Sequence, residues 1–278
     1  MKIIPDPHIA FIGDLTVDRY VEKKESRLGG GALNCAIWAK RVGAIPSVVT
    51  AIGNDEEGKQ FLEKLTAEQI DGTHIRMLPG VTSSIEIFIN EKGERRYGTW
   101  NPGTLKSYHL NESDEQFLKN ADVVCATVYP EYTYILDELL TIKKEKRDTP
   151  RIVINFGDLR EFGGDPLVVW KYLPLADILV FGLDKDCDEK FINELGCRAC
   201  THNKIIVVTL GAKGSLLYAG CKTFAQTAKL VKVVDTTGAG DAFLSGFLAS
   251  YLKTLDLEES LHVATDLAST VVGHIGAY

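Results

Sequence analysis

The stretch Val233-Val-Asp-Thr-Thr-Gly-Ala-Gly-Asp-Ala-Phe-Leu-Ser-Gly-Phe247 constrains this chain more than any other. It reads as a strand end, a glycine turn and a helix. Phe243, Phe247 and Tyr251, together with Leu244, Leu248 and Leu252, recur at i, i+4 and i+8, so the helix is apolar nearly all round and belongs at the centre of a fold. Val233 and Val234 suit a buried strand leading into it. Between the two, Gly238 and Gly240 permit positive φ and leave backbone N–H groups uncovered where a helix has no internal acceptors for them. Such a turn is an anion hole.

Asp241 stands in the first turn of that helix, where a carboxylate would repel a bound phosphate unless its charge serves the reaction. The helix dipole favours the ionised form. A general base need only accept a proton as an attacking hydroxyl loses it in the transition state. Helix capping is the ordinary task of an Asp at such a place, and these residues alone leave both readings open. Competing glycine-loop chemistries fall away: the chain has no Gly-x-x-x-x-Gly-Lys-Ser/Thr, and Gly238-x-Gly240 lacks the third glycine of a dinucleotide fingerprint.

Asp235-Thr-Thr-Gly-Ala-Gly-Asp241, followed by Ala242-Phe243 and Gly246-Phe247, resembles the C-terminal signature of the ribokinase-like (PfkB) carbohydrate kinase family. The resemblance implies that Asp241 is the base and that Gly238, Ala239 and Gly240 form the anion hole for the transferring phosphoryl. Near the other end, Leu28-Gly-Gly-Gly-Ala-Leu-Asn34 precedes an apolar helix through Ala36, Ile37, Ala39 and Val42 that stops at Gly43. Gly29, Gly30 and Asn34 resemble the family's N-terminal signature, which implies contacts to the sugar. A glycine-rich loop alone says little; the two signatures together say much more.

The fold so implied is α/β: a three-layer α/β/α ribokinase-like domain over residues 1–278, with a mostly parallel central sheet and a small β-sheet lid from about 14–30 and 82–102. Composition agrees with one large domain, since 278 residues with 45% hydrophobic and 25% charged side chains build a core without staples. A net charge of −7, and no basic block longer than Lys143-Lys-Glu-Lys-Arg147, argue against a nucleic-acid or anionic-membrane partner. The polar N-terminus and the lack of a long apolar run lead to the expectation of a cytoplasmic protein. Of six cysteines only Cys197 and Cys200 are clustered, with His202 behind them; one such pair is a weak zinc signal, and ordinary thiols are the expectation.

Along the chain, His8–Gly13 is a short apolar strand, and Asp14 and Asp18 stand just past its carboxyl end, where α/β sheets gather ligands. They suit turn solvation or the hydroxyls of a polyol; the resemblance favours substrate. Strands at Ser47–Ile52 and Thr73–Leu78 flank a helix whose entry, Gly53-x-Asp55-x-x-Gly58, reads as a cap. Thr82–Asn90, a turn at Glu91-Lys-Gly-Glu94 and Arg95–Trp100 make a hairpin foreign to an α/β alternation. Arg95, Arg96, Tyr97 and Trp100 could face substrate, but neighbouring arginines on a strand point to opposite faces, and Arg96 is taken as the contact. Ile85, Ile87 and Ile89 give this hairpin an apolar face that must lie against substrate, the main domain or a second lid, hence an expected homodimer.

Further strands fall at Ala121–Ala126, Arg151–Asn155, Ala176–Phe181 and Lys204–Thr209, with helices at about Tyr132–Lys146 and Leu257–Gly273. The turn Leu210–Ser215 resembles the family's nucleotide-facing turn, so Thr209, Gly211, Gly214 and Thr237 are expected on ATP. Many family members carry Asn-x-x-Glu where this chain has Phe181-Gly-Leu-Asp-Lys-Asp186. Asp184 or Asp186 could hold Mg2+ through water instead, since magnesium keeps several waters and leans on substrate phosphates. A monovalent cation near Asp235 completes the implied cofactors. The short lid, the Arg-Tyr-Gly hairpin strand, the missing Asn-x-x-Glu and the ending Gly276-Ala-Tyr278 look most like the fructoselysine 6-kinase branch. The expected activity is ATP-dependent phosphorylation of a sugar or sugar-derivative hydroxyl. A nucleoside kinase of the same fold and an inactive sugar- or nucleotide-binding regulator are the alternatives.

Overall fold

A computed structural model describes residues 2–90, 95–144, 150–163, 167–183 and 189–278. In chain order its elements are β1 (His8–Ile12), β2 (Thr16–Tyr20), β3 (Glu25–Gly29), α1 (Gly31–Arg41), β4 (Ile45–Gly53), α2 (Glu56–Ala67), β5 (Asp71–Leu78), β6 (Ser83–Ile89), β7 (Arg95–Asn101) and α3 (Glu112–Leu118). Then follow β8 (Val123–Thr127), α4 (Tyr134–Lys144), β9 (Arg151–Asp158), α5 (Leu167–Tyr172), β10 (Ile178–Gly182), α6 (Glu189–His202), β11 (Ile205–Thr209), β12 (Ser215–Ala219), β13 (Lys222–Gln226), α7 (Ala239–Thr254) and α8 (Leu257–Val271).

Nine strands form one sheet in the order β13-β12-β11-β10-β9-β8-β1-β4-β5, parallel from β11 to β5 and antiparallel only at the β12 and β13 edge. Apolar runs such as Ile205–Val208 form these strands because both sheet faces are covered. Alternate residues serve opposite layers: Ile9 and Phe11 of β1 pack with α1, α2, α7 and α8, whereas Ala10 and Ile12 pack with residues of α4, α5 and α6. The three-layer α/β/α expectation therefore holds. α7 lies between α1 and α8, buried from Ala242 to Ala249, with Gly246 letting the Ala264 backbone come close.

The second sheet, in the order β3-β2-β6-β7, stands over the carboxyl ends of the large one. β2 pairs antiparallel with β3 but parallel with β6, and β6 pairs antiparallel with β7. The lid segments expected from sequence thus make one sheet, although the turn 91–94 and the Arg95 side chain lie outside the described residues. Its isoleucine face is turned inward: Ile85 lines the cavity described below and Ile87 is fully buried. Ile89, the third isoleucine of that face, is half-buried.

Two further readings are corrected, and one is extended. Val233 and Val234 are not in a strand; after β13 the chain leaves the sheet edge and crosses to the end of α8, where the Val234 N–H donates to Val272 O at 2.8 Å, and Val233 is exposed. Asp55 caps α2 through the Gly58 N–H, as expected, but also accepts from the Thr82 N–H and hydroxyl. It is therefore also an anchor for the start of β6. Cys200 and Cys221 form a disulfide between α6 and the β12–β13 turn, so Cys200 is not an ordinary thiol; Cys187 lies outside the described residues.

Candidate active site

A cavity of about 530 Å³ opens between the small sheet and the carboxyl ends of β1, β8, β9, β10 and β11. Its floor at one end is the start of α7. Gly238 has φ +77°, in the left-handed region, and carries the chain into the helix. The Ala239 N–H bonds back to Thr236 O at 3.3 Å, and the next amide, of Gly240, stands in the first turn of α7, where a helix has no internal acceptor for it. A Cβ at Gly240 would meet nothing within 4 Å, so that face of the turn is open. The residues present fit a phosphoryl group there.

Asp241 is held from α1. Asn34 Nδ2 donates to its Oδ2 at 2.9 Å, and the Cys35 thiol points to its Oδ1 at 3.7 Å. Burial, and then the nearby Asp241 charge, pushes the Cys35 thiol well above its ordinary range, so it remains a neutral donor. Ser245 Oγ ties the two helices, donating to Asp241 O at 2.8 Å and lying 2.9 Å from Cys35 O. The two glycine-flanked signatures are thus joined side chain to side chain across the helix pair. Asn34 Oδ1 is buried and finds no donor among the described residues.

Asp14, almost fully buried, accepts from the Gly31 N–H at 2.8 Å and the Tyr129 hydroxyl at 3.0 Å, both on Oδ1. Asp18, with Thr16 beside it, lines the same wall from β2. Glycines create this crowding. A Cβ at Gly29 would lie 2.4 Å from Asp18 Oδ2, and Gly30, at φ +97°, would press on Asp14 O at 2.5 Å. Gly30 borders the cavity; Gly29 does not, and serves by leaving room for Asp18. Opposite, the small sheet contributes Ile85, Tyr97, Gly98 and Trp100, with the Trp100 ring 5.7 Å from that of Tyr129.

Of the residues expected on the nucleotide, Thr209, Gly211 and Thr237 line the cavity, and Gly211 opens to empty space. Gly214 does not line it: its φ of +99° and a would-be Cβ only 2.0 Å from Gln226 O show a glycine needed to start β12 beside β13. Arg96 is likewise removed from the site. It pairs with Phe88 across β6 and β7 and its guanidinium lies over the Phe88 ring at 4.9 Å, on the face away from Ile85 and Tyr97. Asp184 and Asp186 lie outside the described residues.

Sequence reasoning missed the wall formed by Glu131, Asn155, Asp158, Arg160 and Glu161. Glu131, Arg160 and Glu161 follow the carboxyl ends of β8 and β9, and Asp158 is the last residue of β9, so the rule that led to Asp14 could have found them; Asn155 lies within β9. Arg160 is paired with Asp158.

Deeper below the turn, Asp235 is fully buried. Its Oδ1 accepts from the Thr237 N–H at 2.8 Å; its Oδ2 accepts from the Gly276 N–H at 3.0 Å and the Tyr20 hydroxyl at 3.1 Å. Burial works to raise this carboxyl, but hydrogen bonds from Thr237, Gly276 and Tyr20 outweigh it and hold it below the ordinary range.

Comparison with known proteins agrees with this geometry. The profile of the pfkB family carbohydrate kinases matches residues 8–278, and the chain belongs to that family. It is 26% identical over 270 residues to fructoselysine 6-kinase of Escherichia coli (strain K12), covering 97% of this chain and 99% of that protein. It is 29% identical over 272 residues to the fructosamine kinase FrlD of Bacillus subtilis (strain 168), covering 96% and 91%. Among solved structures, fructokinase from Vibrio cholerae O395 with fructose, ADP and calcium superposes with a TM-score of 0.78 at 23% identity, covering 98% of this chain and 94% of that one. Membership carries the activity class, ATP-dependent phosphorylation of a carbohydrate. No helix among the described residues is long and apolar enough to cross a membrane.

Proposed function

We propose that this chain phosphorylates a sugar derivative of the fructosamine type, with Asp241 as the general base. The observation that carries the reading is the Asn34–Asp241 contact, which sets the carboxylate at the junction of the glycine turn and the sugar-facing wall. In the step itself, the substrate hydroxyl oxygen bonds to the γ-phosphorus, the bond from that phosphorus to the bridging oxygen breaks, and ADP leaves with the bond's electron pair. Asp241 takes the hydroxyl proton. The Gly240 amide, on the open face of the turn, meets the charge on the transferring phosphoryl, so positioning and electrostatics supply most of the rate. Asp14 and Asp18 are the acceptors offered to substrate hydroxyls, with Asn34 beside them on the cavity wall. ATP supplies the phosphoryl and a divalent cation neutralises its β and γ charge. Asp184 and Asp186 are proposed as that cation's water-mediated holders, which alanine variants shifting the magnesium titration would support. A monovalent cation at Asp235 would share a carboxylate already taken by three donors; exchanging potassium for tetramethylammonium in the assay tests it.

The fructosamine reading draws support from the two relatives named above and from the mouth of the cavity. Glu131 and Glu161 at that mouth suit the ammonium of an amino-acid substituent, while Asp158 and Arg160 beside them are paired with each other. The test is ATP-dependent product formation, followed by mass, over Nε-fructosyl-lysine, D-fructose and inosine. Fructosyl-lysine should give the highest kcat/KM by at least ~10-fold. Preference for inosine would make the chain a nucleoside kinase, and binding without ATP consumption a regulator.

A further inference from the structure

Along β2, Thr16, Asp18 and Tyr20 project from one face. The first two line the cavity, but Tyr20, only 2% exposed, reaches past it to Asp235 beneath the glycine turn. Asp235 thereby joins three separate pieces of chain: the lid through Tyr20, the turn through the Thr237 N–H, and the segment 275–278 through the Gly276 N–H. That segment is itself gripped by the lid, since Arg27 of β3 donates to Ile275 O at 3.1 Å and the Tyr278 hydroxyl to Leu28 O at 2.7 Å. It also bears on the turn: a Cβ at Gly238 would lie 2.4 Å from Ala277 Cβ. Burial, and then the Asp235 charge, pushes the Tyr20 phenol well above its ordinary range, so it stays a donor.

We propose that Tyr20 is a positioning residue that makes the geometry of the Gly238–Asp241 turn depend on where β2 lies. A substrate gripped by Asp18 and Thr16 fixes β2; Tyr20 then fixes Asp235, and Asp235 fixes the Thr237 amide at the entry to the turn. Sugar binding therefore improves the turn's hold on a phosphoryl group that the sugar-binding residues never touch. Packed networks with shared partners transmit such coupling, and the coupling must be reciprocal between the two ligands. The inference rests on the kinase reading above and adds to it a residue with no contact to either substrate.

The experiment compares wild type with Tyr20→Phe, using Nε-fructosyl-lysine and Mg·ADP–aluminium fluoride as the probes, each titrated alone and in the presence of the other. In wild type the sugar should tighten the phosphoryl mimic by ~10-fold or more. In Tyr20→Phe each ligand alone should bind within about twofold of wild type, coupling should fall below about threefold, and kcat should drop ~10-fold at unchanged sugar KM. Amide exchange at residues 236–241 should slow on sugar binding in wild type and not in the variant. Coupling retained in Tyr20→Phe overturns the proposal. Should that variant fold poorly, wild-type exchange decides: 236–241 unaffected by saturating sugar overturns it equally. The product assay tells the two failures apart. A wild type that phosphorylates the sugar without coupling sinks the role of Tyr20 alone, whereas one that makes no phosphosugar removes the activity reading as well.

Discussion

The two ends of the cavity are built on opposite terms. At the end proposed for the phosphoryl group, α1 and α7 are buried almost throughout, and Asn34, Asp241 and Ser245 meet inside a helix pair held by the core. At the end proposed for the substrate, β7 stands at the rim of a four-stranded sheet, with Arg96, Tyr97, Gly98 and Thr99 exposed. The difference teaches where change is tolerated. Atoms that accept a proton or face a moving phosphoryl must be fixed within fractions of an ångström, which only close packing supplies. Recognition of one substituent or another can sit on a thin edge sheet whose residues contribute little to stability.

The sharpest way to break that comparison is Asp241→Asn. It should lower kcat by ~10²–10⁴ with ATP affinity within a few-fold, because the amide keeps the shape and loses the proton acceptor, while its NH2 must face Asn34 or the Cys35 thiol and costs a small drop in Tm. Near-normal turnover would mean that the rigid end does not hold the base. Gly238→Ala comes next, since a side chain at φ +77° must also displace Ala277; we expect a loss of about 2–3 kcal/mol in chemical denaturation, together with reduced kcat.

Acid titration probes the same end from below. The Asp235 carboxyl is held below its unfolded value, so its contribution is present in full above the unfolded pKa, about 3.9, and is lost as pH falls through the lower folded value. The stability gap between wild type and Asp235→Asn should therefore be constant from about pH 7 to 5 and close below about pH 4. A gap that widened on acidification would reverse the assignment.

At the other end, Tyr97→Ala should raise substrate KM ~5-fold with stability changed by no more than ~0.5 kcal/mol, since the ring lines the cavity yet is 37% exposed. The smallest effect is expected from Arg96→Ala, within about twofold on every kinetic constant, because its guanidinium lies on Phe88 on the far face. A large KM effect there would return the arginine to recognition and undo the contrast.

How much of this was legible beforehand follows the same division. The α7 signature, the central burial of that helix, the parallel sheet and the small sheet over its strand ends all follow from periodicity, glycine placement and family resemblance. Arg96 and Gly214 fall outside the cavity because their surroundings are set by partners distant in the chain: Phe88 across a strand pair whose register shifts between Ile85 and Ile87, and Gln226 across the β12–β13 hairpin. The Val233–Val234 strand failed for a related reason, since an apolar pair does not reveal whether a sheet edge remains for it to join.

By itself, the sequence determined the α/β class, the α7 helix behind its glycine turn and the alternation of most of the parallel strands with helices. Those depend on spacing within one or two turns of chain, where propensity and glycine conformation act locally. Tertiary structure alone decided that Asn34 holds Asp241, that Tyr129 braces Asp14, and that Tyr20 reaches Asp235. Each of these contacts joins residues from different elements, and such pairings are settled only when apolar faces have packed and fixed which polar groups are buried together.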